Sequence, residues 1–185
     1  MRDVTCVVLA AGSATRMGRE KLSLPFGDGT ILDAVLAACA PLPVVVVAAP
    51  GLAIPSRAGT HIVINDQPQR GMAQSLRLAN AEIPKSHAIA VFLADKPLVS
   101  AELLQNLLDA PEADVVFPIR AGIAGHPVIF SARARTLIES LPDGDTLQAL
   151  RNDARLSQRP VPTQDDGAFV DVDTEADYRA LRRDS

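Results

Sequence analysis

Tryptophan is absent, tyrosine occurs once, and aromatic residues make up only 3% of the 185 residues. Without spare ring faces the chain has no stacking platform for single-stranded nucleic acid. A net charge of −4, from 18 basic and 22 acidic residues, leaves no general basic surface either, so nucleic acid is not an expected partner. Cysteine is equally scarce. Cys6 and Cys39 lie far apart in apolar surroundings, with no CxxC and no histidine at a ligand spacing, and are expected as buried, reduced thiols. Long hydrophobic runs are missing too: no window approaches the roughly 18 apolar residues of a membrane span. Asp3 precedes an apolar run too short to act as a secretory leader, so a cytoplasmic location without membrane contact is the expectation. Repeats, low-complexity tracts and linker-like stretches are lacking, which leaves one domain with a sizeable core built from Val, Ile, Leu and Ala.

What the chain has in quantity is alternation. Short runs rich in β-branched residues, 4–10, 43–49, 61–65, 88–94, 113–119, 126–130 and 168–172, predict about seven strands, and most are continuous enough to be buried on both faces. Segments of helical period, 30–40, 72–81, 100–110, 132–141, 145–153 and 174–183, fall between or after them. Ser100 is placed to cap one helix, and Thr174 with Glu175 and Asp177 to start the last. The fold class expected is therefore α/β: a single Rossmann-like domain with a mostly parallel sheet flanked by helices. Proline-rich stretches, Pro160/Pro162 among them, read as loops.

In such sheets ligands bind at the carboxyl ends of strands, and "LAAGSATRMGREKL" (9–22) follows the first one. Gly12 and Gly18 let backbone approach a ligand, while Arg16 and Lys21 supply positive charge suited to a polyphosphate. The stretch is neither GxxxxGK[ST] nor GxGxxG, so both familiar nucleotide loops are excluded. An ordinary solvated loop is the competing reading. Asp95 ends the run AIAVFLAD, at the same edge of the sheet, and Asp171 and Asp173 end AFVDVD. One carboxylate from each place could hold Mg2+, which favours a few carboxylates with waters and phosphate oxygens. Against this stand a turn aspartate before Lys96-Pro97 and helix capping ahead of Thr174. His61 and His87 read as strand surface. No nucleophile elbow or Ser-His-Asp pattern is present.

These stretches resemble the motifs of the MobA-like nucleotidyltransferases. LAAGSATRMGREKL is similar to the first motif, "NDQPQRGMAQSLR" (65–77) to the second, "LADKPLVS" (93–100) to the aspartate motif, and "GHPVIF" (125–130) and "DVDTEADY" (171–178) to later ones. The likeness spans nearly the whole chain. It implies a nucleotide-binding half over about 1–99 and an acceptor-side half over about 100–185. The backbone of Ala10, Ala11 and Gly12 would meet base and ribose, Ser13 and Arg16 the phosphates, Lys21 the triphosphate, and Ser75 would lie beside the nucleotide. Asp95 and Asp173 would hold Mg2+, with Arg16, Lys21 and Asp95 as the catalytic set. Gly125, His126 and Asp145 would fall on the acceptor side.

LAAG, and GMAQSLR in place of a GPLAG-like stretch, resemble the cytidylyl branch of the family more than the guanylyl branch. CTP and the molybdenum cofactor are then the implied substrates, with a molybdoenzyme conceivable as recipient of the product. GTP, a sugar or polyol phosphate as acceptor, and a non-catalytic cofactor-binding role are the alternatives. Two departures motivate them: Lys96 stands where the family usually has Gln or Met, and "GDTLQALR" (144–151) lacks the glycine and alanine that normally follow Gly-Asp.

Overall fold

The computed structural model describes residues 3–12 and 21–181. In chain order its elements are β1 (Val4–Ala10), the small hairpin β2 (Pro25–Phe26) and β3 (Gly29–Thr30), α1 (Ile31–Ala38), β4 (Val44–Ala48), β5 (Thr60–Ile64) and α2 (Met72–Glu82). These are followed by β6 (Ala88–Leu93), α3 (Ala101–Asp109), β7 (Val115–Arg120), β8 (Ile123–Ala124), β9 (Val128–Phe130), α4 (Ala132–Arg135), α5 (Leu147–Arg151), β10 (Gln158–Pro162) and α6 (Glu175–Leu181).

The main sheet has eight strands in the order β10-β7-β9-β6-β1-β4-β5, with β8 paired to β7. β1 pairs in parallel with β4 and β6, β4 with β5, and β7 with β10. β9 runs against both β6 and β7. The α/β class and mostly parallel sheet expected from the apolar runs are therefore present. Alternate residues of β1 feed two cores: Val4, Cys6 and Val8 join α1 and α3 on one face, and Val7 joins α2 on the other. Burial on both sides is why the central strands show no polar alternation. The two cysteines sit in the first core as free thiols. The adjacent Cys39 thiol, together with burial, pushes the Cys6 thiol far above its ordinary value.

Helix starts follow the capping residues. The Ser100 hydroxyl accepts from Leu103 N–H at 3.0 Å, and Thr174 and Asp177 bond reciprocally at the head of α6. Thr30 and Asp33 form the same box on α1.

Three segments differ from the sequence expectation. β10, read as a loop because of its prolines, is an edge strand. Pro160 and Pro162 lie two apart, so both missing N–H groups fall on the side away from β7 and cost the ladder nothing. The stretch 168–172 is not a strand: a 3-10 turn (Asp166–Ala168) leads into extended chain that bonds to β6's loop instead of a sheet edge. The helix expected over 132–141 stops at Arg135 and resumes as a 3-10 turn (Ile138–Ser140). There the Thr136 and Ser140 hydroxyls donate to the carbonyls of Arg133 and Leu137, competing with the helical ladder.

Arg135 itself holds α2 to the sheet. It is 2% exposed, and its guanidinium donates to Asn80 Oδ1 and to the carbonyls of Asn80, Ile83, Pro84 and His87. A cation thereby closes the carboxyl end of α2, where the last carbonyls and the helix dipole favour it. Burial lowers its pKa, but the group stays charged. Arg135→Met would strand several buried acceptors. Thermal and urea unfolding should show a loss of about 3 kcal/mol, a fall in Tm on the order of 10 °C.

Candidate active site

The parallel strands β6, β1, β4 and β5 end along one edge, and β1 is the point from which the chain steps to either side. A cleft of about 330 Å³ opens there, lined by Ala11, Gly12, Gly71, Met72, Ser75 and Asp95 among others. A wider depression of about 410 Å³ lies at the opposite edge around Asp114, Arg133 and Ser157. Its polar groups satisfy one another: Asp114 accepts from Arg133 at 2.5 Å and from Ser157 Oγ at 2.9 Å. That depression is a structural knot.

At the mouth of the cleft three separated segments meet on one ammonium. Lys21 Nζ donates to Asp95 Oδ2 at 2.9 Å, to Asp173 Oδ1 at 3.1 Å and to the Val172 carbonyl at 2.9 Å. Burial opposes the charge on Lys21, but its bonds to the two carboxylates outweigh that and raise its pKa. Val172 N–H donates to the Asp95 carbonyl at 2.9 Å, fixing the segment 171–173 against the end of β6. Thr174 and Asp177 make the cap of α6, leaving the Asp173 carboxylate turned to Lys21. Three oxygens converging on one cation form a hard donor set of the kind that suits Mg2+. No cluster of three or more His, Cys, Asp or Glu occurs among the described residues, so a divalent ion held here would complete its shell from water and substrate phosphates.

The cation at position 96 is spent on structure. Lys96 is 5% exposed, donates to the Phe169 carbonyl at 3.2 Å and lies 3.7 Å from Asp171. Beside this segment His126 N–H donates to the Ala168 carbonyl at 2.9 Å. Its ring Nδ1 is buried without a hydrogen-bond partner among the described residues. Burial, reinforced by the positive charge of Lys96, pushes His126 down to about 4, so the ring is neutral at pH 7.

The far wall is the turn 65–71 with the start of α2. Asn65 Nδ2 donates to Ser75 Oγ at 2.9 Å. Gly71, at φ 82°, has a backbone only glycine adopts readily, and a Cβ there would lie 3.0 Å from the Gly144 Cα. Gly144 N–H donates to the Arg70 carbonyl at 3.0 Å, and Arg70 and Arg77 both engage the Asp143 carboxylate. The loop that departs from the family pattern is thus clamped to the cleft wall.

Of the residues singled out from sequence, Ala11, Gly12, Ser75 and Asp95 line one cleft. Ala10 ends β1 immediately before them, and Lys21 and Asp173 join Asp95 at its mouth. Ser13 and Arg16 lie outside the described residues. Gly125 and His126 pack on Ala168, Asp145 N–H donates to the Pro142 carbonyl, and none of the three lines the cleft. His61 pairs with Glu82 at 3.3 Å and His87 with Thr5 at 3.0 Å, both away from the cleft. Sequence reasoning passed over Asn65, Arg70 and Arg77. They stand inside the quoted stretch 65–77, but their partners come from α2 and from a loop 66 or more positions away.

The MobA-like NTP transferase domain family matches residues 6–160. Over 71% of both chains the sequence is 26% identical to the molybdenum cofactor cytidylyltransferase of Escherichia coli. It is 31% identical to a probable molybdenum cofactor guanylyltransferase of Mycolicibacterium paratuberculosis, covering 95% of this chain and 93% of that one. Among solved structures, Rv0371c of Mycobacterium tuberculosis superposes with a TM-score of 0.87 at 30% identity, over 97% of each chain. The same protein has also been solved in complex with manganese; that structure gives a TM-score of 0.81 at 28% identity, over 99% of this chain and 100% of the other.

The buried imidazole makes stability depend on pH. Folding lowers the His126 pKa from its ordinary 6.5 to about 4, so between these values the unfolded chain binds more protons and acid favours unfolding. Urea titrations should show wild type losing on the order of 2 kcal/mol more than His126→Gln as pH falls from 6.5 to 4. A pH-independent difference between the two would refute this.

Proposed function

Since the chain belongs to the MobA-like NTP transferase family and is a nucleotidyltransferase, we propose that it transfers CMP from CTP to the terminal phosphate of the molybdenum cofactor and releases pyrophosphate. The observation that carries the reading is the meeting of Lys21, Asp95 and Asp173 at the mouth of a cleft floored by Ala11 and Gly12. A triphosphate lying over Gly12 would reach that ammonium and those carboxylates.

An oxygen of the acceptor phosphate attacks the α-phosphorus; the new P–O bond forms as the bond to the β-phosphate breaks, and pyrophosphate leaves with the electron pair. A phosphate monoester is nucleophilic near neutral pH, so no protein base is required. The chain's work is positioning and charge. Lys21 neutralises charge building on the phosphate oxygens and the leaving group. Asp95 and Asp173 would hold Mg2+, which supplies Lewis-acid stabilisation to phosphate oxygens. Ala11 and Gly12 keep the floor low enough for the nucleoside to lie against backbone. Rv0371c with manganese supports a divalent ion in this fold.

CTP is favoured by Ala10-Ala11 and by the sequence Gly71-Met72 ahead of Ser75, which resemble the cytidylyl branch. The guanylyltransferase relative, 31% identical over nearly the whole chain, favours the second reading, GTP on the same site. Pyrophosphate release measured with each NTP, Mg2+ and molybdenum cofactor decides between them. CTP should give the highest kcat/KM, and Lys21→Met or Asp95→Asn should lower it by about 100-fold or more with the circular dichroism spectrum unchanged. A higher rate with GTP reassigns the base. Wild-type rates in Asp95→Asn remove that carboxylate from the chemistry.

A further inference from the structure

The cleft contains one side-chain hydroxyl whose polarity the protein fixes. Asn65 follows β5 and is 0% exposed, and its own N–H donates to the Ala48 carbonyl at 2.8 Å, so its backbone is pinned to the end of β4. Its side-chain Oδ1 accepts from Gln67 N–H at 2.9 Å. A backbone N–H can only donate, so the amide oxygen must face Gln67 and the NH2 must face Ser75. Ser75 Oγ, 2.9 Å from Asn65 Nδ2, is therefore an acceptor in that bond.

The hydroxyl proton of Ser75 is then left over. Thr136 and Ser140 return their protons to backbone carbonyls three residues back, but Ser75 makes no such bond among the described residues. Ser75 is 6% exposed and lines the cleft. We propose that Asn65 is a positioning residue: by occupying Ser75 as a donor, it makes Ser75 present its proton to an acceptor atom on the nucleoside portion of the bound nucleotide. This rests on the reading that an NTP fills the cleft. The nucleoside is assigned, in preference to the phosphates, by place in the sheet. Asn65 follows β5 and Asp95 follows β6, three interstrand steps away; at about 4.8 Å a step that is about 14 Å, longer than a nucleoside and enough to put Asn65 at the far, base end of a nucleotide whose phosphates meet Asp95.

Asn65→Asp tests the proposal almost without changing shape. An aspartate still accepts from Gln67 N–H, but its other oxygen can only accept, so Ser75 must turn its proton away from the ligand. Titration calorimetry with Mg2+ would compare CTP with inorganic tripolyphosphate, which has the phosphates and no nucleoside. Ser75→Ala and Asn65→Asp should each weaken CTP by about tenfold, the double variant no further, and tripolyphosphate by less than about twofold. Wild-type CTP affinity in Asn65→Asp, or an equal loss on tripolyphosphate, overturns the role of Asn65. In the first case a loss confined to Ser75→Ala leaves the nucleotide in the cleft. If Gly12→Val, which fills the floor, also leaves CTP affinity unchanged, the cleft reading itself falls. Should Asn65→Asp not fold by thermal melt, Asn65→Ala frees the hydroxyl to rotate toward the α2 backbone. The ratio of CTP to tripolyphosphate affinity should then drop, and an unchanged ratio overturns the proposal.

Discussion

One ammonium holds the working edge of this protein together. Two carboxylates from widely separated segments of the chain, Asp95 and Asp173, lie 2.9 and 3.1 Å from Lys21 Nζ. Without a cation between them their mutual repulsion would oppose the docking of the segment 171–173 on β6. With it, the segment docks, Val172 N–H reaches the Asp95 carbonyl, and α6 is placed so that the Tyr178 hydroxyl donates to the Pro25 carbonyl at 2.8 Å. The closing of the chain's end onto its beginning and the assembly of the site are thus the same event.

Most other cations near the cleft are already committed. Arg70 and Arg77 share Asp143, holding the 141–144 loop to the wall. Lys96 is buried under the segment that leads to Asp171. At the opposite end of the strands, away from the cleft, Arg135 closes the end of α2 in the same way. Each has its charge met by carboxylates or carbonyls of the protein, and for Lys96 and Arg135, 5% and 2% exposed, burial would penalise an unpaired charge. Lys21 differs in place: its partners Asp95 and Asp173 stand at the mouth of the cleft, and Asp95 lines it. In the proposed function, a phosphate arriving there would change the balance of an existing, partly exposed charge cluster.

Strands buried on both faces announce themselves in sequence, and so do helices with a serine or threonine cap; β1, β4, β6 and α3 were legible for that reason. β10 was not, because proline is disfavoured in strands on average, and only the pairing partner shows that Pro160 and Pro162 both face away from the ladder. AFVDV looked like a strand because an apolar run cannot distinguish a sheet from an extended segment pinned by single bonds. In the site, residue types with one dominant chemistry, such as Asp95 and Lys21, could be named in advance. Asn65 could not, since its role depends on two partners, one beyond a turn and one on α2, and on which end of the amide meets which.

The glycines separate what the fold needs from what a ligand needs. A Cβ on Gly125 would sit 2.6 Å from the Ala168 carbonyl oxygen, so packing alone demands glycine there. Its neighbour His126 is correspondingly held by backbone contact, and the turn needs no ligand to account for it. A Cβ on Gly12 would meet nothing within 4 Å among the described residues, whose packing gives no reason for its absence. Gly12 lines the cleft beside Ala11. Space kept clear where the described residues do not require it, beside a charge cluster open to solvent, is what the proposed nucleotide, an anionic ligand lying close against backbone, would need.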